Sequence, residues 1–509
     1  MKRSTHTSRL IIAVLLGAVC GIGAAAPQEH RPANVPLGLP PAQNSLPDLG
    51  SSANAGLSRA DEYQIGRMVV RDLRSQNLLL DDAETADYLQ SLGDRIGVEA
   101  QDGQQKLTFM PIRDKSINAF ALPGGFIGIH TGLFLLTDDE SELAAVMAHE
   151  IGHVAQRHMA RGAQADTRSA ITTIAGMVGA ILVGIATGSP DATLGMVSMA
   201  QATGMQQQVN FTRMEEHEAD RVGISYLAAA GFDPNGMPAF FSTMMRESGV
   251  GDDEIPSLLL THPVDTVRIA ESRSRIASMP PVDRRPDSAS YPYIRERLRV
   301  LTNPPKTDLR RYYSNRRNND AANPALQYGQ ALAEIGAGNG QAAVDLLKPL
   351  VNAQPQLPLL HIALAQAQMA AGHQDKAIAT FEHALVLSPR NVPLSVRYAE
   401  TLLKVGSAKK AHALLLDLFN NVPPTAEQIG LIARVASAAG DTADAYYYMG
   451  ELHIGNGDLM LATTQLDLAL LSPGITEVQR KRFTARRDEI RDFLREQRGD
   501  RSSRQRPPG

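Results

Sequence analysis

Apolar residues along this 509-residue chain recur mostly three and four apart, the spacing of one helix face. Ile65, Met68, Val69 and Leu73 predict an amphipathic helix over residues 57–76, and Tyr88, Leu89, Leu92 and Ile96 a second over 83–97. The pattern changes to strand character at 107–112 and 119–129. The later segment contains Pro123-Gly124-Gly125, a turn, followed by Phe126-Ile127-Gly128-Ile129-His130. Helical spacing returns over 144–160. Thr137 and Glu140 have the spacing of a capping box ahead of it. Asp138 and Asp139 suit the positive end of that helix, and Arg157 and Arg161 its negative end. A further helix is expected over 211–230, stopped by Gly231. Between these helices, residues 169–190 carry no charged side chain, and 171–186 are apolar with Gly176, Gly179 and Gly184. That run is at the lower limit for a bilayer span. A buried or cleft-covering helix accounts for it, and peripheral contact with a membrane surface is the other reading.

The second half repeats itself. Gly338, Gly372, Gly406 and Gly440 recur every 34 residues. Ala331, Ala365, Ala399 and Ala433 keep the same step, as do Ala343, Ala377, Ala411 and Ala445, and Pro355, Pro389 and Pro423. A 34-residue helix–turn–helix period is that of tetratricopeptide repeats. Gly457 follows Gly440 by only 17, so one helix of the fifth unit is expected to be skipped or shared. Residues 475–497 read as a charged terminal helix able to cap the stack, and 498–509 as a disordered tail. The organisation expected is a leader at 1–25, a flexible lead-in at 26–56 rich in Pro, Gly, Asn and Ser, and a first domain at 57–279 with an apolar insertion at 169–210. A connector at 280–320, with a short helix near 293–301, leads to the repeats at 321–474.

Composition narrows the chemistry. Lys+Arg 50 against Asp+Glu 54 leaves no basic field for nucleic acid. Lys2, Arg3 and Arg9, the apolar run 10–19 and the small residues 23–26 have the form of a secretory signal peptide. Cys20, the only cysteine, would leave with it. A thiol-free mature chain has no disulfides and no thiolate metal site, so any metal ligands must be histidines and carboxylates.

One stretch supplies them. In His149-Glu150-Ile151-Gly152-His153 the two histidines stand four apart, one turn above the other on a helix. They can point two imidazole nitrogens at one ion. Glu150 is close enough to hold a water on that ion and take its proton, and H-E-x-x-H on a helix marks zinc hydrolases for this reason. Catalytic zinc takes three protein ligands and a water, so a third ligand is needed. Glu216 and Asp220 share a face of the 211–230 helix. Glu216 can supply that ligand, and Asp220 can accept an N–H from a ligating histidine and orient it. Glu215, Glu218 and His217 read as a solvated helix face. Phe126, Ile127, Gly128 and Ile129 read either as an ordinary hairpin strand or as an edge strand that pairs with an extended peptide beside the ion. Thr261-His262-Pro263 follows a loop, with Arg268 six residues on; the two read as a regulatory switch or as substrate-binding groups, and a lone loop histidine reads equally as a surface residue.

The H-E-x-x-H residues, taken with Arg213, Glu216 and Asp220, resemble the gluzincin peptidases that include HtpX and the CAAX-prenyl proteases. Residues 118–125 resemble the segment before their active helix. With a signal peptide, Thr261-His262-Pro263 and a helical-repeat tail, the chain is similar over nearly its whole mature length to the periplasmic beta-barrel assembly-enhancing proteases. The resemblance implies a mainly α fold: an α+β zincin-like metallopeptidase domain followed by an α-solenoid of tetratricopeptide repeats. It implies one zinc ion per chain on His149, His153 and Glu216, with Glu150 as the base. It gives His262 the role of a histidine that occupies the open zinc position at rest. Misfolded or stalled outer-membrane proteins are the implied substrates. The implied partner is the barrel-assembly machinery, engaged through the repeats, and the implied location is the periplasm. Two other classes fit the same residues: a repeat-based chaperone or scaffold with little cleavage, and a membrane-embedded protease in which 171–186 spans.

Overall fold

The computed structural model describes residues 57–100, 106–162, 213–250, 256–303, 308–320 and 322–504. The expected leader, lead-in and apolar insertion lie outside these residues. Helix α1 (Arg59–Ser75) starts at Ser58, whose hydroxyl accepts from the Asp61 N–H. Helix α2 (Ala83–Ala100) starts at Asp82, whose carboxylate accepts from the Thr85 N–H. These side chains satisfy amides that the first helical turn leaves without partners.

Three strands follow: β1 (Thr108–Ile112), β2 (Ala119–Leu122) and β3 (Phe126–His130). Gly124 and Gly125, both at positive φ, fold β2 back onto β3. The segment 119–129, with its turn at Pro123-Gly124-Gly125, is a hairpin. β1 pairs parallel to the other side of β3, giving the order β1-β3-β2. This corrects the edge-strand reading of Phe126, Ile127, Gly128 and Ile129. They lie on the central strand, paired on both sides and buried, with their backbone groups already used by neighbours. The outer edge next to the following helices belongs to β2.

After α3 (Thr131–Leu136) comes α4 (Glu140–Ala155), buried from Glu140 to His153. Its cap is displaced from the expected Thr137. The Asp139 carboxylate accepts from Glu142 N–H, and Glu142 Oε2 accepts from Asp138 N–H. The Thr137 hydroxyl donates instead to Phe134 O. The helix also stops early. Arg157 takes a left-handed φ of 52° and separates α4 from α5 (His158–Gly162). Its guanidinium turns inward to Leu57 O at 2.8 Å and Glu62 Oε2 at 3.2 Å rather than lying at a helix end.

Helix α6 (Arg213–Ala229) packs along α4. A methyl on Gly223 would stand 3.2 Å from the Ala148 backbone, so glycine there allows the close approach. Helices α7 (Gly236–Val250), α8 (Ser257–Thr261) and α9 (Thr266–Ala277) complete this half, followed by α10 (Tyr291–Thr302) and α11 (Leu309–Asn319).

Paired helices then stack: α12 (Pro324–Gly336) with α13 (Gly340–Ala353), α14 (Pro358–Ala370) with α15 (Gln374–Leu387), and α16 (Val392–Lys404) with α17 (Ala408–Asn421). Next come α18 (Ala426–Ala439) with α19 (Thr442–Gly455), and α20 (Leu459–Leu471) with α21 (Glu477–Arg504). The repeating alanines Ala331, Ala365 and Ala399 are fully buried between helices, as are Ala343, Ala377 and Ala411. The fifth unit corrects the expectation of a skipped helix. Gly474, at φ 74°, continues the series Gly338, Gly372, Gly406 and Gly440, all at positive φ. Gly457 lies in the ordinary turn between units, which is one residue shorter here, so Leu459 starts one residue short of the full period. Helix α21 runs to Arg504, so residues 498–504 are helical rather than tail.

The stack returns to the first domain. Arg397 on α16 and Arg297 on α10 both reach Asp82 and Glu84 at the start of α2. Arg74 meets Glu427 at 2.6 Å, and Arg67 donates to Ile454 O and Gly455 O at the carbonyl end of α19. Cationic groups suit that end of a helix.

Candidate metal centre

Four donor residues converge from three elements. α4 carries His149 and His153 one turn apart, with their Nε2 atoms 3.0 Å from each other. α6 brings Glu216, whose Oε2 is 3.5 Å from His149 Nε2 and whose Oε1 is 3.4 Å from His153 Nε2. His262, directly after α8, places Nδ1 2.9 Å from Glu216 Oε1. One ligand atom from each of the four lies within 4.8 Å of the others, and all four residues are buried. Glu150 stands beside them, fully buried, with neither carboxylate oxygen hydrogen-bonded. His262 Nε2 is 3.6 Å from its Oε1. A buried carboxylate left in that state costs free energy, so the surroundings are built for a further polar group. Imidazole nitrogens and a carboxylate around one point are the donor set that divalent zinc prefers, so the residues fit the metal.

The electrostatics follow from this crowding. Burial disfavours charge on His149, but hydrogen bonds to Asp220 and Glu216 outweigh it and push its pKa up to about 10. Burial holds His153 well below the usual imidazole range, and the neighbouring His149 and His262 add to that. Burial alone would raise Glu216, yet the surrounding histidines bring it well below the usual carboxylate range.

Asp220 lies behind His149, with Oδ1 2.9 Å from Nδ1. Arg268 grips Asp220 with Nε and Nη2, both at 2.7 Å, and reaches Glu216 Oε2 with Nη1 at 2.8 Å. The same Nη1 donates to Pro263 O at 2.7 Å. Arg268 therefore ties the His262-Pro263 turn to both carboxylates of α6. The α9 helix that carries it is capped by Asp265. Phe126, Ile127 and Ile129 belong to the packed interior.

Two residues of this centre were not anticipated. His158 Nδ1 is 2.8 Å from His153 Nδ1, and Glu218 Oε2 is 3.2 Å from His158 Nε2. Glu218 was expected on a solvated face; instead it also accepts from Arg161. His158 lies off the face defined by His149 and His153, so helical spacing gave no sign of it. Arg268 had only its nearness to His262 in the sequence to single it out.

Residues 83–276 match Peptidase family M48. With the donor cluster and the stacked helix pairs, this defines a metalloendopeptidase joined to a repeat module. The putative beta-barrel assembly-enhancing protease of Vibrio cholerae is 36% identical over 80% of this chain and 84% of its own. The beta-barrel assembly-enhancing protease of Escherichia coli K12 is 31% identical over 88% and 92%. The chain belongs to the beta-barrel assembly-enhancing protease family. The metalloprotease LoiP of Escherichia coli is 28% identical over 34% of this chain and 64% of its own.

Proposed function

We propose that this chain is a zinc-dependent endopeptidase of the periplasm that acts on outer-membrane β-barrel proteins during their assembly and degrades those that misassemble. The converging donors of His149, His153, Glu216 and His262 beside a Glu150 whose carboxylate oxygens accept no hydrogen bond carry this reading. His149, His153 and Glu216 would hold the metal. Zinc, when bound, polarises the scissile carbonyl and lowers the pKa of the attacking water. Glu150 takes the proton from that water and returns it to the leaving amine. Asp220 keeps His149 in the tautomer that presents Nε2, and Arg268 keeps Asp220 charged and in place. His262, with Nδ1 2.9 Å from Glu216 Oε1, sits among these donors and would have to withdraw before a carbonyl could enter.

The barrel-protein substrates follow from the relatives' names and from the leader-like residues 1–25. The repeats suit a protein partner such as the barrel-assembly machinery, because stacked helix pairs form extended concave surfaces. No helix among the described residues is long and apolar enough to cross a membrane. Residues 171–186, outside them, are left as the candidate for peripheral membrane contact. The test is Glu150→Gln: zinc content stays at that of the wild type and casein cleavage is lost. Unchanged cleavage would remove the central assignment.

A further inference from the structure

His153 faces two neighbours. Its Nε2 points into the donor cluster, and its Nδ1 meets His158 Nδ1 at 2.8 Å. A nitrogen–nitrogen contact of that length is a hydrogen bond with one proton, so one ring donates and the other accepts. A ring that gives its Nε2 lone pair to a metal carries its proton on Nδ1. His153 is then the donor. His158 must accept through Nδ1 and keep its own proton on Nε2. That nitrogen faces Glu218 Oε2 at 3.2 Å, and Glu218 accepts from Nη1 and Nη2 of Arg161, both at 3.1 Å. With the protons so placed, each contact along this row pairs a donor with an acceptor. A proton on His158 Nδ1 would force that of His153 onto Nε2, into the donor cluster. It would also leave a bare His158 Nε2 against a carboxylate.

The backbone is shaped for this contact. Position 158 of a continuous helix would lie about 140° round the axis from 153. The left-handed Arg157, at φ 52°, breaks the helix and turns His158 back against His153. The row His153–His158–Glu218–Arg161 matches in form the row His149–Asp220–Arg268 on the other side of the cluster.

We propose that His158 is a positioning residue for the metal centre. As a neutral imidazole it holds His153 in the Nδ1–H tautomer and so presents Nε2 to zinc, while Glu218 and Arg161 fix its own tautomer. This rests on His153 being a zinc ligand, and the test separates the two. Zinc affinity is measured by chelator competition on the full chain for wild type, His153→Ala, His158→Leu and His158→Asn. Leucine fills similar space without an acceptor; the asparagine oxygen can accept where Nδ1 did. His158→Leu should weaken zinc binding about 10–100-fold, and His158→Asn should restore most of the loss. Equal weakening by both would make His158 a packing residue and overturn the proposal, as would wild-type affinity in His158→Leu. Wild-type affinity in His153→Ala would instead overturn the ligand assignment. If His158→Leu does not fold, imidazole nitrogen-15 shifts of the zinc-loaded wild type decide. His158 should carry its proton on Nε2 alone, and a proton on Nδ1 would end the idea.

Discussion

Glu216 and Asp220 share one face of α6 and one arginine, yet their removal should have different effects. Glu216→Gln replaces a carboxylate ligand by a neutral amide and removes a charge that Arg268 faces at 2.8 Å. Zinc binding should weaken sharply. Asp220→Asn leaves all ligands in place and loosens only the orientation of His149, so its loss should be smaller, about 10–100-fold in affinity. Chelator competition on both variants checks the order, and a weaker effect at Glu216 would reassign the ligand. His262→Ala should keep its zinc and cleave casein faster than wild type, because the imidazole that sits among the donors at rest is gone. Slower cleavage with zinc retained would make His262 a substrate-binding group. At this scale the sequence was readable where chemistry coincides with helical spacing, as at His149, His153, Glu216 and Asp220. It was silent at His158, whose place depends on one left-handed residue, and misleading at Glu218, whose partners Arg161 and His158 lie on another helix.

At the scale of elements, the junction of β3 and α3 makes a pH-dependent contribution. His130 ends the strand, is 1% exposed, and lies 2.9 Å from Ser116 Oγ through Nδ1. Burial pushes its pKa down to about 4 and outweighs the opposing pull of Asp114. The folded value lies below the ordinary imidazole value of about 6.5, so the folded state binds fewer protons between the two. Its stabilisation is fully present above pH 6.5 and is lost as pH falls through 4, at most about 3 kcal/mol. His130→Asn can keep a polar atom near Ser116 without an ionisable ring. Its melting temperature should fall less between pH 7 and pH 4 than that of the wild type; parallel curves would show that His130 does not contribute. Element types were legible in periodicity, and so was the repeat step through four units; the fifth was misread because Gly457, in the turn between units, stood in for Gly474. Strand order was not, because the turn at Gly124 and Gly125 decides which strand becomes central. The Arg157 break was hidden for a related reason: its buried partners, Leu57 and Glu62, lie about a hundred residues away in the chain.

Across the whole molecule, protease and repeats are joined in two physically different ways. α10 is shared by both hydrophobic interiors: Tyr291, Ile294 and Leu298 pack into the protease core, and Tyr293 into the first repeats. Beside it lies the buried network of Asp82, Glu84, Arg297 and Arg397. No pattern in the sequence could announce that network, because its members come from α2, α10 and α16 and none repeats with the period. A complete buried ion network contributes little net stability, but removing one member leaves charge uncompensated and costs about 3–5 kcal/mol. Arg397→Met should therefore destabilise strongly although it keeps much of the packing volume. The cost falls on the α2–α16 contact, while α10 still links the two halves. Calorimetry should show one cooperative transition in the wild type and two in Arg397→Met combined with Arg74→Ala, which also frees α18 from α1. Tyr293→Ala attacks the other link, since truncating a large buried aromatic costs about 3–5 kcal/mol. If the arginine variants keep a single transition and Tyr293→Ala splits it, the shared hydrophobic helix couples the domains and the ion network only sets their register.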